Sequence, residues 1–297
     1  MNAAASRLPI RLLLAMAAVW VTAACSSRPP TMTDAALINR LAAADIVLLG
    51  ELHDNVAQHR MRLQWLRELS NRTPIALVIE HLDADAQPRL DEARRALDPA
   101  QPLPARARQL AEAARFNFEG WDWALISPVI ELALERNLPV YAANLSAREA
   151  FSIARGQPHP LASRIPSGWT QAVEGEMTAS IRDGHCGLMP ETMLPAMVRA
   201  QRARDARMAD ALLDARASGF KPVLLAGNGH VRTDLGVPLH LRDRLPSGAL
   251  MSVGLLESAA TLADGRYDET RVTEAQPRPD PCESLRQRFG AKPGASR

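Results

Sequence analysis

Short, wholly apolar runs recur along this chain, each closed by a polar cluster and followed by a stretch of helical periodicity. Ile46 to Leu49 is the first, made only of Ile, Val and Leu, the pattern of a strand buried on both faces. Gly50 ends it, and Glu51, His53, Asp54, Asn55 and His59 crowd into the next nine positions. Asn55 with Gln58 three residues on predicts a capping box and a helix from about Val56, whose apolar stripe is Val56, Met61, Trp65, Leu66 and Leu69. Ile75 to Ile79 is a second strand, ending in Glu80-His81. Val140 to Ala143 is a third, with Asn144 at its end. Val223 to Ala226 is a fourth, followed by Gly227-Asn228-Gly229-His230, and Met251 to Leu256 is a fifth. Between them the spacing predicts helices over 83–97, 105–114, 169–182, about 191–217 and about 237–243. Another opens at Ser127-Pro128 with Ser127 as N-cap, while 145–167, with Gly156, Pro158 and Pro160, reads as loop. Strands alternating with helices predict an α/β fold, a mostly parallel central sheet flanked by helices on both faces.

That topology gives the polar clusters a common address. Parallel strands point the same way, so Glu51 and His53, Glu80 and His81, Asn144, and His230 gather along the carboxyl edge of the sheet, where open α/β sheets bind ligands. Gly50 to His53 and Gly227 to His230 share the spacing Gly-x-x-His directly after an apolar strand, and Gly227 and Gly229 permit positive φ and close ligand approach. Two histidines with one or two glutamates suit a divalent metal: His53, His230 and Glu51 as ligands, Glu51 or Glu80 as ligand or general base. The bland alternative is that each histidine bonds only to nearby backbone. The same edge, with its Met residues and the aromatic cluster Phe116, Phe118, Trp121 and Trp123, also suits a flat apolar cofactor such as haem, although those rings serve equally as core. Cys-x-x-Cys-His, His-Glu-x-x-His, Walker A and Gly-x-Ser-x-Gly motifs are absent.

The chain has 297 residues, 47% hydrophobic, and a formal charge of +2, too near zero to imply a nucleic-acid partner. Arg7 and Arg11 precede the apolar run Leu12 to Ala24, too short for a comfortable membrane span, which ends in Thr22-Ala23-Ala24-Cys25. The expected organisation is a lipoprotein signal peptide over 1–24, a polar tether over 25–33 beginning at a lipidated Cys25, a folded domain over 34–275 and a carboxy-terminal tail over 276–297. Ser26 after the cysteine fits outer-membrane sorting; an ordinary secreted protein cut after Ala24 is the alternative. Either compartment is oxidising, and with Cys25 set aside the two remaining cysteines, Cys186 and Cys282, are expected to pair and staple the Pro-rich tail.

These residues resemble the ChaN family of haem-binding lipoproteins within the Tiki/TraB-like superfamily. The likeness is carried by Gly50-Glu51-Leu52-His53-Asp54-Asn55 with His59, Glu80 with Gln87, Ala142-Ala143-Asn144-Leu145 and His185-Cys186-Gly187. It continues in Met197, Ala200-Gln201, Arg204-Asp205, Met208-Ala209, Gly227-Asn228-Gly229-His230, and the tail from Tyr267-Asp268 to Pro281-Cys282. The resemblance implies a helical subdomain, here about 150–217, membrane attachment through the lipid, non-covalent haem shared between two copies as a homodimer, and a role in haem or iron uptake. Haem ligation in that family is associated with tyrosine, and this chain has only Tyr141, inside a predicted strand, and Tyr267. His185, in a tight turn beside the expected disulfide, is therefore the first candidate iron ligand. His53 and His230 follow, Glu51 orders the pocket, and Tyr267 is a further cofactor-binding candidate. Tiki-like relatives carry paired Gly-x-x-His motifs with a glutamate, so a hydrolase dependent on Mn, Co or Zn is the alternative reading.

Overall fold

The computed structural model describes residues 34–258 and 265–289. The expected signal peptide, tether, lipidated Cys25 and end of the tail lie outside the described residues. In chain order the elements are α1 (Asp34–Ala43), β1 (Ile46–Leu49), α2 (Val56–Ser70), β2 (Ile75–Asp83), α3 (Gln87–Ala96), α4 (Leu103–Ala113), α5 (Trp123–Glu135), β3 (Val140–Asn144) and α6 (Ala147–Ala154). They continue with α7 (Pro160–Ser163), α8 (Gln171–Gly184), α9 (Leu194–Ala217), β4 (Lys221–Leu225), α10 (Asn228–Val231), α11 (Val237–Leu241), β5 (Leu250–Leu256), β6 (Glu269–Val272) and α12 (Pro281–Phe289). Among the described residues no helix is long and apolar enough to cross a membrane.

The six strands form one parallel sheet in the order β3-β2-β4-β1-β5-β6. Alternate positions serve the two faces. Ile46, Leu48, Ala76, Val78 and Leu224 pack with Met208 and Leu212 of α9 and with Val237 and Leu241 of α11. Val47, Leu49, Leu77 and Val223, on the opposite face, are equally inaccessible. Burial on both faces is why the strands are continuous apolar runs rather than alternating ones. β4 returns between β2 and β1, so the carboxyl ends of three adjacent strands carry Glu80-His81, Gly227–His230 and Glu51–His53 side by side.

Several local expectations are revised. Asn55 caps α2 by accepting from the Gln58 amide at 3.0 Å, but the buried Gln58 side chain accepts from Leu52 N and donates to Thr273 Oγ1 instead of closing a capping box. α5 starts four residues before Ser127, capped by Asp122, and Pro128 sits inside it, where its missing N–H removes a single helical bond. The stretch read as loop holds α6, with Ser146 and Glu149 forming a full capping box. The sequence pattern does not foreshadow β6, α12, α10 or α1. Neither Gly227 nor Gly229 adopts positive φ; close approach of a side chain is what Gly227, and Gly50 with it, provides, as shown below.

Candidate functional site

The first half of the site is built around Glu51, fully buried in the turn after β1. His53 Nδ1 donates to its Oε1 at 2.8 Å, and His81 Nε2 stands 3.0 Å from the same oxygen. His59 Nε2 lies 3.3 Å from Oε2, and the Arg62 guanidinium presses against that oxygen from α2. One helical turn sets His59 and Arg62 on a common face. His59 Nε2 donates to the His53 carbonyl at 3.0 Å, which leaves Nδ1 to accept from Arg62 at 3.1 Å and fixes the neutral tautomer. Burial lowers the pKa of His53 and His59, and puts that of His81 well below its ordinary value. The same desolvation brings Arg62 down to about 9. Trp121 lies edge-on against both His53 and His81, with centroids at 4.8 and 4.6 Å. Phe116, Phe118 and Trp123 instead pack on one another. The aromatic segment thus divides between core and site wall.

The second half centres on His230. Its Nδ1 is 2.6 Å from Asp205 Oδ1 of α9, its Nε2 is 3.3 Å from Glu80 Oε1, and Gln201 lies at 3.1 Å. Glu80 Oε2 accepts from Gly227 N at 2.6 Å. Burial disfavours the imidazolium, but the charges of Glu80 and Asp205 outweigh it and raise His230 to about 10. Burial likewise raises Asp205, to about 6, while on Glu80 the attraction of His230 overcomes burial and holds the carboxyl far below its usual range. His230 is therefore a buried cation between two acids, with both ring nitrogens occupied.

The two Gly-x-x-His turns interlock through their glycines. A Cβ on Gly227 would stand 2.8 Å from His53 Nε2, and one on Gly50 would overlap Asn228 Oδ1. Each glycine makes room for a side chain of the other motif. Asn228 then bonds both the amide and the carbonyl of Leu255, tying the pair to β5.

His185 lies apart from this cluster, on the turn after α8, where Cys186 and Gly187 both take left-handed backbone (φ 56° and 66°). The Cys186–Cys282 disulfide is formed, with Cα atoms 5.8 Å apart. The Pro-rich segment before Cys282 runs beside the β1 turn, where Arg278 bridges Asp54 and Glu257 at 2.6–2.8 Å. His185 Nδ1 donates to Ile181 O at 2.7 Å, and its Nε2 has no partner among the described residues. It lines a cleft of about 190 Å³ with Met177, Ile181, Gln201, Arg232 and Leu235. Tyr267 is packed on Gly254, its hydroxyl 3.3 Å from Asn228 O, and burial raises its pKa. Tyr141, within β3, packs against the core.

The metal set expected from sequence is regrouped. Ligand atoms of Glu51, His53 and His81 lie within 4.8 Å of one another, whereas His230 is occupied elsewhere. This trio fits a divalent cation poorly, because Arg62 already neutralises Glu51 and would lie beside the ion. Glu80 is no free base either, held as it is by Gly227 N and His230. The hydrolase reading is not favoured. The sequence places His81 and Trp121 at this edge without a specific partner, and it assigns no chemistry to Arg62 or Asp205. The i, i+3 spacing of His59 and Arg62 is the available signal for Arg62; only the fold brings Asp205 to His230.

The model of a family described as haem-binding uptake, Tiki superfamily, ChaN, matches residues 37–241. The chain is similar to ChaN of Campylobacter jejuni, in a structure describing cofacial heme binding: 26% identity, TM-score 0.67, over 80% of this chain and 90% of that one. The RRSP effector domain of a Vibrio vulnificus MARTX toxin matches at 15% identity and a TM-score of 0.43, over 80% of this chain and 37% of that one, too distant to bear on function. No curated protein sequence matches the chain.

Proposed function

We propose that this chain binds haem non-covalently, proceeding from the premise that it belongs to the ChaN family of haem-binding uptake proteins in the Tiki superfamily. The observation that carries the assignment of a ligand is the free Nε2 of His185. A backbone carbonyl holds the proton on Nδ1, so the opposite nitrogen presents its lone pair, the arrangement by which a neutral imidazole is readied for a metal. The turn that presents it is braced by the disulfide. Met177, Ile181 and Leu235 supply an apolar wall.

The remaining candidates fit less well. His230 has no free nitrogen, and the Tyr267 phenol is buried and bonded with a raised pKa, which disfavours the phenolate. His53 Nε2 abuts Gly227. We assign Glu51, His53 and His230 to ordering the carboxyl edge rather than to ligation. The cleft is smaller than the roughly 300–1,000 Å³ typical of an enclosed small-molecule pocket. His185 would hold the iron, and Met177, Ile181 and Leu235 would meet the apolar porphyrin. A cleft too small to enclose a porphyrin would leave room for a second copy of the chain to complete the site, in line with the cofacial binding described for the Campylobacter jejuni relative. Attachment to the outer membrane through Cys25, and a role in haem or iron uptake, are supported by the amino-terminal pattern and by a disulfide suited to an oxidising compartment.

Hemin titration of the full-length chain, followed by Soret absorbance, tests the proposal. Wild type and Tyr267→Phe are expected to saturate alike, and His185→Ala to weaken binding at least about tenfold. Absence of saturable binding by wild type would reject haem. Equal binding by His185→Ala would reject His185.

A further inference from the structure

A second cleft, of about 250 Å³, opens at the carboxyl ends of β2 and β3, lined by Asp83, Arg115, Asn117, Trp121, Asn144 and Arg204 among others. Its inner wall is built from buried groups, while Arg115 and Asn117 stand at its exposed rim. Asn144 is only 5% exposed; its Oδ1 accepts from Leu145 N and from Arg204, which fixes the amide and leaves Nδ2 free to donate. Asn117 is fixed the same way: its Oδ1 accepts from the amides of Glu119 and Gly120. Neither amide nitrogen has a partner among the described residues. Arg204 uses one nitrogen on Asn144 and Leu145, and Arg115 stands 3.5 Å from Asp85. The half-buried Asp83 carboxylate has no hydrogen-bond partner among the described residues. Trp121 forms the apolar wall.

We propose that this cleft binds a small hydroxycarboxylate, a site independent of the haem reading. Two amide nitrogens and two guanidinium groups, all donors, converge on one opening, and a carboxylate satisfies them best. A carboxylate ligand with no donor of its own would meet Asp83 at close range and be repelled. A hydroxyl next to the carboxylate donates to Asp83 instead and turns the repulsion into a hydrogen bond. A neutral sugar would leave Arg204, which makes no ion pair among the described residues, without a counter-charge. The ligand class that answers these donors and Asp83 together carries both a carboxylate and a hydroxyl.

Isothermal titration of the full-length chain with malate, succinate and glucose tests this. Malate is expected to saturate, succinate (which lacks the hydroxyl) to bind at least about tenfold more weakly, and glucose not to bind. Asn144→Asp keeps the acceptor that Leu145 and Arg204 need but removes the donor, and is expected to weaken malate at least about tenfold. Arg115→Gln, on the surface, does the same without touching the core and decides the matter should Asn144→Asp fail to fold. The proposal is overturned by no saturation with malate, by glucose or succinate binding as tightly, or by Arg115→Gln binding malate as wild type does.

Discussion

Replacing Glu51 by Gln keeps the shape of the central side chain and removes its charge. In the wild type that carboxylate is inaccessible and faces three histidines and the Arg62 guanidinium, itself only 1% exposed. The substituted amide would still accept a hydrogen bond from His53, but Arg62 would lose its direct partner and be a buried cation opposed only by the more distant Glu80. Breaking one partner of a buried pair costs about 3–5 kcal/mol. Arg62 softens this only in part: burial has lowered it to about 9, so near neutral pH it remains mostly charged. At roughly 2–4 °C per kcal/mol for a domain of this size, the melting temperature should fall by about 6–20 °C. The double variant Glu51→Gln/Arg62→Met removes both charges and should recover at least about 2 kcal/mol relative to the sum of the single effects, the signature of a coupled pair. Urea unfolding of the four proteins supplies the cycle. Additive single effects, or a Glu51→Gln loss below about 1 kcal/mol, would mean that the pair is solvated and that the cluster is not the electrostatic centre of the fold.

Two further outcomes follow from the same geometry. Gly227→Ala places a methyl 2.8 Å from His53 Nε2 and should cost about 1–3 kcal/mol while displacing the His53 imidazole, visible as a shifted ring resonance by NMR; an unshifted His53 would reject the interlock of the two motifs. His240, buried without a partner for either nitrogen among the described residues, is lowered to about 4 by burial and then by Arg164 and Arg202. A depressed folded-state pKa gives stability that is present above 6.5 and lost as pH falls toward 4. Wild type should therefore lose about 2 kcal/mol from this group between pH 7 and pH 5, and His240→Leu should not, as read from urea midpoints at the two pH values.

The sequence by itself determined the sheet and its functional edge. Apolar runs such as Ile46–Leu49 and Ile75–Ile79 are buried on both faces, so their strand character is written in local composition, and parallel topology then lines up their carboxyl ends. The disulfide was legible because few cysteines leave few pairings. Elements at the periphery were not legible: β6 is only partly buried, and its sequence Glu-Thr-Arg-Val carries no strong pattern. What only tertiary structure decided is which polar atoms remain available. His53, His185 and His230 look alike in sequence. Asp205, twenty-five residues away on α9, occupies one nitrogen of His230, and Glu80 of β2 occupies the other, while the Ile181 carbonyl takes His185 Nδ1 and leaves Nε2 without a partner among the described residues. A histidine's chemistry is set by the hydrogen bond its other nitrogen makes, and for His230 those partners come from distant segments that only the fold brings together.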